Sequence, residues 1–119
     1  MKYTDSLKKN RDFVRVYQEG RSTADHRLVL YRLKNDTEKN RLGISVSKKV
    51  GNSVVRHRVK RLIREAYRLE EDLYKTGYDL VCIARAGAKE SSFAEISRSV
   101  LKLSRRLRLL KEEPEERSL

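Results

Sequence analysis

The chain has few of the residues that crosslink, kink or anchor a protein. Its 119 residues include one cysteine, one proline and no tryptophan. The single cysteine, Cys82, excludes an internal disulfide and a cysteine-based zinc site. No apolar run approaches the ~20 residues that a membrane-spanning helix needs, and the N-terminus lacks the apolar segment of a signal peptide. We therefore expect a cytoplasmic protein with no membrane partner.

Acidic residues are also scarce relative to basic ones. Lys and Arg number 29 against 17 Asp and Glu, a formal net charge of +12. This excess favours a polyanionic partner, with nucleic acid first and an acidic membrane second. Because 38% of the residues are hydrophobic and 39% are charged, the chain can bury one modest core. We expect a single RNA-binding domain at residues 1–111, followed by a disordered charged tail at residues 112–119.

Hydrophobic periodicity predicts the element order helix, strand, strand, helix, strand, helix. The first helix begins near Asn10 and ends at Gly20. Two β-rich runs, residues 27–33 and 42–47, predict a hairpin, and the apolar run 78–84 predicts a strand in the middle of a sheet. A capping box from Ser92 to Glu95 opens the last helix. The fold class expected is α+β, a two-layer sandwich of helices on a small mixed β-sheet.

A strongly basic helix is predicted over residues 54–69. Residues 41–68 carry nine Lys and Arg against Glu65 alone, so nine minus one gives a net charge of +8. Like charges at i, i+4, such as Arg56 with Lys60, repel, so a helix optimised for stability alone would intersperse acids. Guanidinium groups pair bidentately with phosphates and stack on unpaired bases, which favours structured RNA. The apolar stripe comprises Val55, Val59, Leu62, Ile63, Ala66 and Leu69.

Two less specific interpretations of this helix carry less weight. A solvated Lys/Arg face is the commonest origin of a basic helix, but it does not account for five arginines on or beside one helix. A membrane-surface or calmodulin-type helix would carry bulky anchors such as Trp or Phe on its apolar face. The apolar face here is aliphatic and suited to a protein core.

The segment from Lys48 to Glu65, KKVGNSVVRHRVKRLIRE, resembles the signature of the bacterial ribonuclease P protein family, whose core is Arg-Asn-Arg-x-Lys-Arg. Similarity extends to LKKNRDF at residues 7–13 and LGISVS at residues 42–47, and spans roughly residues 7–110. One position departs, since His57 stands where the family usually has Asn. The resemblance implies a βαβ crossover of left-handed sense, against the general right-handed rule.

The resemblance also implies a function, a cofactor and two RNA partners. Family members are subunits of a ribonucleoprotein endonuclease that removes the 5′ leader of precursor tRNA, and the RNA subunit carries the active site with its Mg²⁺. No obligate protein partner is implied. The residues that match the RNA-subunit site are Lys48, Asn52, Arg56, His57, Arg58, Lys60, Arg61, Arg64 and Arg68. Those that match the leader-binding cleft are Phe13, Tyr17, Tyr31, Ser45, Ser47 and Lys49.

The residues themselves leave the role of the aromatic pair open. Phe13 and Tyr17 lie at i, i+4, which is typical of core packing. In the strand 42–47, however, Gly43 and Ser45 face the side opposite Leu42 and Ile44, and a small polar face beside aromatic rings suits unpaired nucleotides.

No arrangement typical of a catalytic site is present in the sequence. Neither His26 nor His57 has an adjacent acid placed to orient it. The acidic run 70–72 indicates a solvated charge cluster, and Cys82 lies in an apolar strand typical of a core. We therefore expect no catalytic and no metal-ligating residue. Two other classes stay open, a non-catalytic RNA-binding module such as a ribosomal protein, and a self-sufficient metal-dependent nuclease.

Overall fold

The computed structural model describes residues 1–114, in which five strands form one mixed sheet flanked by three α-helices. In chain order the elements are β1 (Thr4–Ser6), α1 (Asn10–Glu19), β2 (Arg21–Ala24), β3 (Leu28–Lys34), β4 (Asn40–Ser45), α2 (Ser53–Leu69), β5 (Tyr78–Ala84) and α3 (Phe93–Arg106). Single 3₁₀ turns follow α2 and β5, at Glu71–Leu73 and Ala86–Ala88.

The strand order across the sheet is β1-β4-β5-β3-β2. β4 is parallel to both β1 and β5, whereas β3 is antiparallel to both β5 and β2. The central position predicted for residues 78–84 is confirmed. Because α2 connects the parallel neighbours β4 and β5, the predicted βαβ crossover is confirmed as well.

The hairpin predicted between β3 and β4 is wrong, because β5 lies between these two strands. β5 is apolar on both faces, so it takes the sheet centre, where both faces are covered. The hairpin in the structure joins β2 to β3 through a turn at Asp25. The Asp25 carboxylate accepts hydrogen bonds from the backbone N–H groups of Arg27 and Leu28, each at 2.9 Å. The sequence analysis predicted neither β1 nor β2, which are short edge strands.

The helices cover both faces of the sheet. α2 and α3 pack on one face, where Val59 and Leu103 belong to the same buried cluster as Leu80 of β5. α1 packs on the other face, where Val16 contacts Val81. The α+β class and the mixed sheet are confirmed, and α1 adds a third layer to the two that were expected. The alternation of Leu80 and Val81 explains this layer, since consecutive strand residues point to opposite faces.

The capping box predicted for α3 is confirmed, because Ser92 forms a complete capping box with Glu95. α2 is capped by Asn52, which accepts a hydrogen bond from the backbone N–H of Val55 at 3.0 Å. The buried stripe of α2 differs at its end, because Leu69 is 57% exposed whereas Tyr67 is buried.

The structure describes the acidic run at residues 70–72 and the first three residues of the charged tail. Glu71 is buried rather than solvated, because its carboxylate accepts hydrogen bonds from the backbone N–H groups of Lys2 and Tyr3 at 2.8 and 3.0 Å. Of the predicted tail, residues 112–114 form a turn and its end, in which the N–H of Glu113 donates to the carbonyl of Leu110. Residues 115–119 lie outside the described part of the chain.

Candidate nucleic-acid interface

α2 presents most of the predicted RNA-binding residues on one exposed side. The helix is fixed on the sheet by the buried residues Val59, Ile63, Ala66 and Tyr67, so the opposite side faces solvent. The exposed members of the predicted set are Lys48, Asn52, His57, Arg58, Lys60, Arg61, Arg64 and Arg68, and Arg56 is half-buried. The prediction of one continuous basic surface therefore agrees with the packing of α2.

The arginines of this surface differ in what they already contact. Arg58 donates to the backbone carbonyl of Ser91 at 2.9 Å and so ties α2 to the segment before α3. Arg68 donates twice to the Glu65 carboxylate, at 3.0 and 2.8 Å, and this contact lowers the pKa of Glu65. Arg58, Arg61 and Arg64 line an open concavity on the outer face of the helix. Because Arg58 and Arg68 are also held by contacts within the protein, Arg61 and Arg64 are better placed to meet phosphates.

Three aromatic side chains form a row between α1 and the sheet. The ring centroids of Phe13 and Tyr17 lie 6.3 Å apart, and those of Tyr17 and Tyr31 lie 5.2 Å apart. Phe13 and Tyr31 pack partly against Val81, whereas Tyr17 is 38% exposed. Partial burial and the neighbouring Tyr31 raise the pKa of Tyr17 even though its hydroxyl hydrogen-bonds to Ser45. The row is thus neither a closed core nor fully solvated.

Gly43 allows the ring of Phe13 to lie directly on β4. A Cβ atom at this position would come within 2.5 Å of Cζ and 2.8 Å of Cε1 of the Phe13 ring, closer than any real contact. The sequence analysis noted that the residue is small but did not predict this contact. We call the surface formed by Phe13, Tyr17, Tyr31, Gly43 and Ser45 the aromatic cleft. Ser47 and Lys49, predicted for the same cleft, lie beyond the end of β4 and are exposed.

A buried ionic network fixes α1 beside this cleft. Asp79 of β5 is fully buried, and its carboxylate accepts two hydrogen bonds from Arg41, at 2.8 and 2.6 Å, and one from Arg15 of α1, at 3.1 Å. Arg41 also contacts Asp12 of α1 at 3.3 Å. Burial opposes ionisation of Asp79, but Arg41, Asn35 and Arg15 together lower its pKa. The one sequence signal for this network was a single acid inside an apolar strand.

One groove connects the aromatic cleft with the basic helix. It has a volume of about 540 Å³ and passes over the edge of the sheet at β1 and β4. Phe13 and Ile44 line one part of it, and Lys60 and Arg64 of α2 line another. The two surfaces that the sequence analysis predicted separately are therefore adjacent at one edge of the sheet.

Acidic and sulfur ligands do not cluster in the described residues. Within residues 1–114, no three His, Cys, Asp or Glu side chains are grouped so that they could hold a metal ion. Cys82 is buried as predicted, and burial raises the pKa of its thiol to about 12. In the same part of the chain, no helix combines the length and apolar character required to span a membrane.

The fold and the basic surface define a small nucleic-acid-binding protein. Residues 1–108 match the family model described as Ribonuclease P. The ribonuclease P protein component of Alkaliphilus metalliredigens is 53% identical over 110 residues, which cover 92% of this chain and 99% of that protein. The ribonuclease P protein component of Clostridioides difficile is 50% identical over 104 residues, which cover 87% of this chain and 91% of that protein. The chain belongs to the ribonuclease P protein family.

Solved structures agree with this assignment. The RNase P protein of Staphylococcus aureus superposes with a TM-score of 0.82 at 36% identity, covering 89% of this chain and 97% of that one. The RNase P protein from Thermotoga maritima gives a TM-score of 0.78 at 30% identity, and the superposition covers 85% of this chain and 96% of that one. The family predicted from the signature is confirmed. The chain is a subunit of the ribonucleoprotein endonuclease that matures the 5′ end of tRNA, and it has an RNA partner.

Proposed function

We propose that α2 binds the RNA subunit of ribonuclease P while the aromatic cleft holds the single-stranded 5′ leader of precursor tRNA. The observation that carries this proposal is the groove shared by Phe13, Lys60 and Arg64. A leader strand leaving the cleft along this groove passes Asp5 and Ile44 at the sheet edge and then meets Lys60 and Arg64 of the basic helix. The protein thus brings the substrate's leader and the RNA subunit together at one edge of the sheet.

The contact with the RNA subunit is electrostatic in origin. Arg61, Arg64 and Lys60 present their charges to solvent, where they can displace counterions from RNA phosphates. Lys48 and Asn52 extend the same surface before α2, and Arg56 and His57 follow in its first two turns. Arg58 and Arg68 contribute less to RNA binding, because each has a partner within the protein. His57 keeps a donor and an acceptor at the position where the family usually has Asn.

The aromatic cleft suits unpaired nucleotides. Every base has a π-face, so a row of rings such as Phe13, Tyr17 and Tyr31 binds single strands with little regard to sequence. Ser45 offers a hydroxyl beside the rings, and Ser47 and Lys49 lie where the strand would leave β4. These polar groups hold the sugar-phosphate backbone while the rings hold the bases.

The Mg²⁺ ions of the reaction belong to the RNA subunit in this proposal. When bound there, Mg²⁺ activates the water that attacks the phosphodiester. The described residues do not form a cluster that fits such an ion, so they bind and orient RNA instead. Because both RNA partners are cytoplasmic molecules in bacteria, we assign the protein to the cytoplasm.

The substitution Tyr17→Leu tests the leader site. It keeps the bulk of the side chain and removes the ring, so the holoenzyme should bind precursor tRNA roughly five- to a hundredfold more weakly, the value of one stacked base. Affinity for mature tRNA, which has no leader, should not change. Tyr3→Leu is the matched control, because Tyr3 is 41% exposed, compared with 38% for Tyr17, but lies outside the cleft.

The two affinities are measured side by side with reconstituted holoenzyme at fixed salt. Circular dichroism verifies that both variants are folded. If folded Tyr17→Leu gives the same ratio of precursor to mature tRNA affinity as Tyr3→Leu, the leader site is elsewhere, and the aromatic row is part of the core.

A further inference from the structure

α3 and residues 107–111 hold a second concentration of the protein's net positive charge. Residues 93–111 contain six Lys and Arg against Glu95 alone, a net charge of +5. Residues 41–68 contribute +8, so the two segments together carry a net charge of +13. Because the whole chain carries +12, all other residues sum to −1. The positive charge of the protein is therefore concentrated in two segments, and the proposed function uses one of them.

The basic residues of α3 lie on its outer side. Ile96, Val100 and Leu103 are buried against the sheet and fix the orientation of the helix. The residues on the outer side, which we call the α3 basic surface, are Arg98, Lys102, Arg105 and Arg106, and all four are exposed. Arg108 and Lys111 extend it beyond the helix end.

The α3 basic surface faces the β2 edge of the sheet. Lys102 pairs with Asp25 of the β2–β3 turn at 2.9 Å, and Arg106 donates to the backbone carbonyl of Ala24 at 3.1 Å. On α2, by contrast, Lys60 and Arg64 lie beside β1 and β4. β1 and β2 are the two opposite edges of the sheet. Four strand spacings of ~4.8 Å separate these edges, or about 19 Å. A single phosphate group therefore cannot bridge the residues at these two edges.

Nearby acids do not neutralise this surface. Asp25 is committed to the turn, since it also accepts a hydrogen bond from Ser99 at 2.7 Å and two from backbone N–H groups. Glu112 lies 3.8 Å from Arg105, and both side chains are more than half exposed, so this pair is weak. The surface keeps a net positive charge that a polyanion can meet.

The composition of the segment indicates what kind of polyanion fits. Residues 94–111 contain no aromatic side chain, so this surface cannot stack unpaired bases as the aromatic cleft can. Arginine and lysine on a helix contact phosphates without reading sequence, and double-helical RNA is recognised mainly through its backbone and shape. We infer that the α3 basic surface binds the backbone of a second double-helical segment of the RNA subunit, distinct from the segment that meets α2. This inference rests on the proposed function of α2.

Salt dependence of binding to a bacterial ribonuclease P RNA provides the first test. Arg98→Gln combined with Arg105→Gln removes two exposed charges without opening the core. The slope of log affinity against log salt should fall by roughly 1.4 to 1.8, the value of two lost phosphate contacts. The control, Lys34→Gln combined with Lys39→Gln, removes one charge from the end of β3 and one from the β3–β4 connection, and should leave the slope unchanged. Thermal unfolding verifies that both double variants are folded.

A third double variant, Arg61→Gln with Arg64→Gln, separates this inference from the proposed function. If it lowers the slope while the α3 variant matches the lysine control, the inference fails and the proposed function stands. If neither variant lowers the slope, both fail. If the α3 variant does not lower the slope, the α3 basic surface is a solvated face or a binding site for an acidic protein.

Directed cleavage of the RNA provides the second test. An iron chelate is attached to Ala94→Cys on α3 or to Val54→Cys on α2, both exposed positions, and the RNA subunit is cut by the hydroxyl radicals that form nearby. Cys82 does not react, because it is buried. The two tethers should cut different double-helical segments. The inference is overturned if the tether on α3 produces no cuts, or only the cuts made from α2.

Discussion

Asp79 is a buried carboxylate whose charge is retained because three cationic or polar side chains surround it. Taking a carboxylate out of water is costly unless hydrogen bonds replace the lost hydration. Arg41 supplies two of these bonds, and Arg15 and Asn35 supply one each. Because Arg15 belongs to α1 and Arg41 to β4, the same carboxylate holds together two of the three elements that form the aromatic cleft.

Asp79→Asn should lower the free energy of unfolding by about 1.5–3 kcal/mol, the value of hydrogen bonds to a charged group. The amide keeps the size of the side chain but turns donors toward two guanidinium groups. Asp36→Asn is the control, because Asp36 is an exposed turn residue with a φ of 56°, a conformation that Asn adopts readily. Urea unfolding at pH 7 measures both variants.

The same comparison at lower pH tests whether the negative charge of Asp79 causes the stability difference between the two proteins. The pKa of Asp79 is lowered in the folded protein, so its stabilisation is present above the unfolded value of about 3.9 and is lost as the pH falls through the folded value. The stability difference between the unmodified chain and Asp79→Asn should therefore shrink below pH 4. A difference that is constant down to the lowest pH at which both fold would show that packing, and not ionisation, is lost.

Gly43→Ala should disturb the leader site without removing any of its functional groups. The new Cβ would lie 2.5 Å from the Phe13 ring, so the ring must move away from β4. We expect precursor tRNA to bind roughly tenfold more weakly, within the range of one stacked base, and the protein to lose ~1–3 kcal/mol from overpacking. Combining Gly43→Ala with Phe13→Leu should restore stability but not leader binding. Unchanged leader binding in the single variant would contradict a role for Phe13.

At the level of elements, the start of α2 combines a structural role with a binding role. Asn52 caps the helix by accepting a hydrogen bond from Val55, and it also belongs to the proposed RNA-binding set. Asn52→Ala should lower stability by ~1 kcal/mol through loss of the cap. Asn52→Asp should keep the cap and the stability but weaken RNA binding, because it places a negative charge among the phosphates. Unfolding and RNA affinity are measured for both variants. If Asn52→Asp binds RNA as tightly as the unmodified chain, Asn52 serves only as a cap.

Elements with long hydrophobic patterns could be predicted from the sequence, and short edge strands could not. α3 begins at the predicted capping box, and α2 buries Val59, Ile63 and Ala66 of its predicted stripe. β1 and β2 have three and four mostly polar residues, and their pairing relies on backbone hydrogen bonds that almost any sequence can form. The false hairpin has a related cause, since strand neighbours in the chain need not be neighbours in the sheet.

The candidate site could be predicted as a set of residues but not as a geometry. Phe13, Tyr17, Tyr31 and Ser45 come together as the sequence analysis expected. The contact of Phe13 with Gly43 and the Asp79 network were not predicted. Both join residues that are distant in the chain, and both depend on α1 packing across the sheet from α2. No local pattern contains that information.

Across the whole molecule, three acidic groups support the structure, while most basic residues of α2 and α3 face solvent. Asp79 pairs with Arg41, Asp25 holds the β2–β3 turn, and Glu71 accepts hydrogen bonds from N-terminal backbone amides. Metal-dependent hydrolysis of a phosphodiester needs carboxylates that converge on an ion, and these carboxylates lie in separate structural contacts. The distribution of charge suits a subunit that binds RNA while another subunit supplies the ligands for metal.

The purified chain without RNA should therefore not cleave precursor tRNA at any Mg²⁺ concentration. The assay uses protein freed of RNA by denaturing purification and then refolded. The same preparation, mixed with a bacterial ribonuclease P RNA at low Mg²⁺, serves as the positive control and should release the 5′ leader. Leader release by the RNA-free chain that persists after stringent purification and ribonuclease-inhibitor treatment would revive the hypothesis of a self-sufficient nuclease. The active site would then have to be sought among carboxylates to which the structure gives other partners.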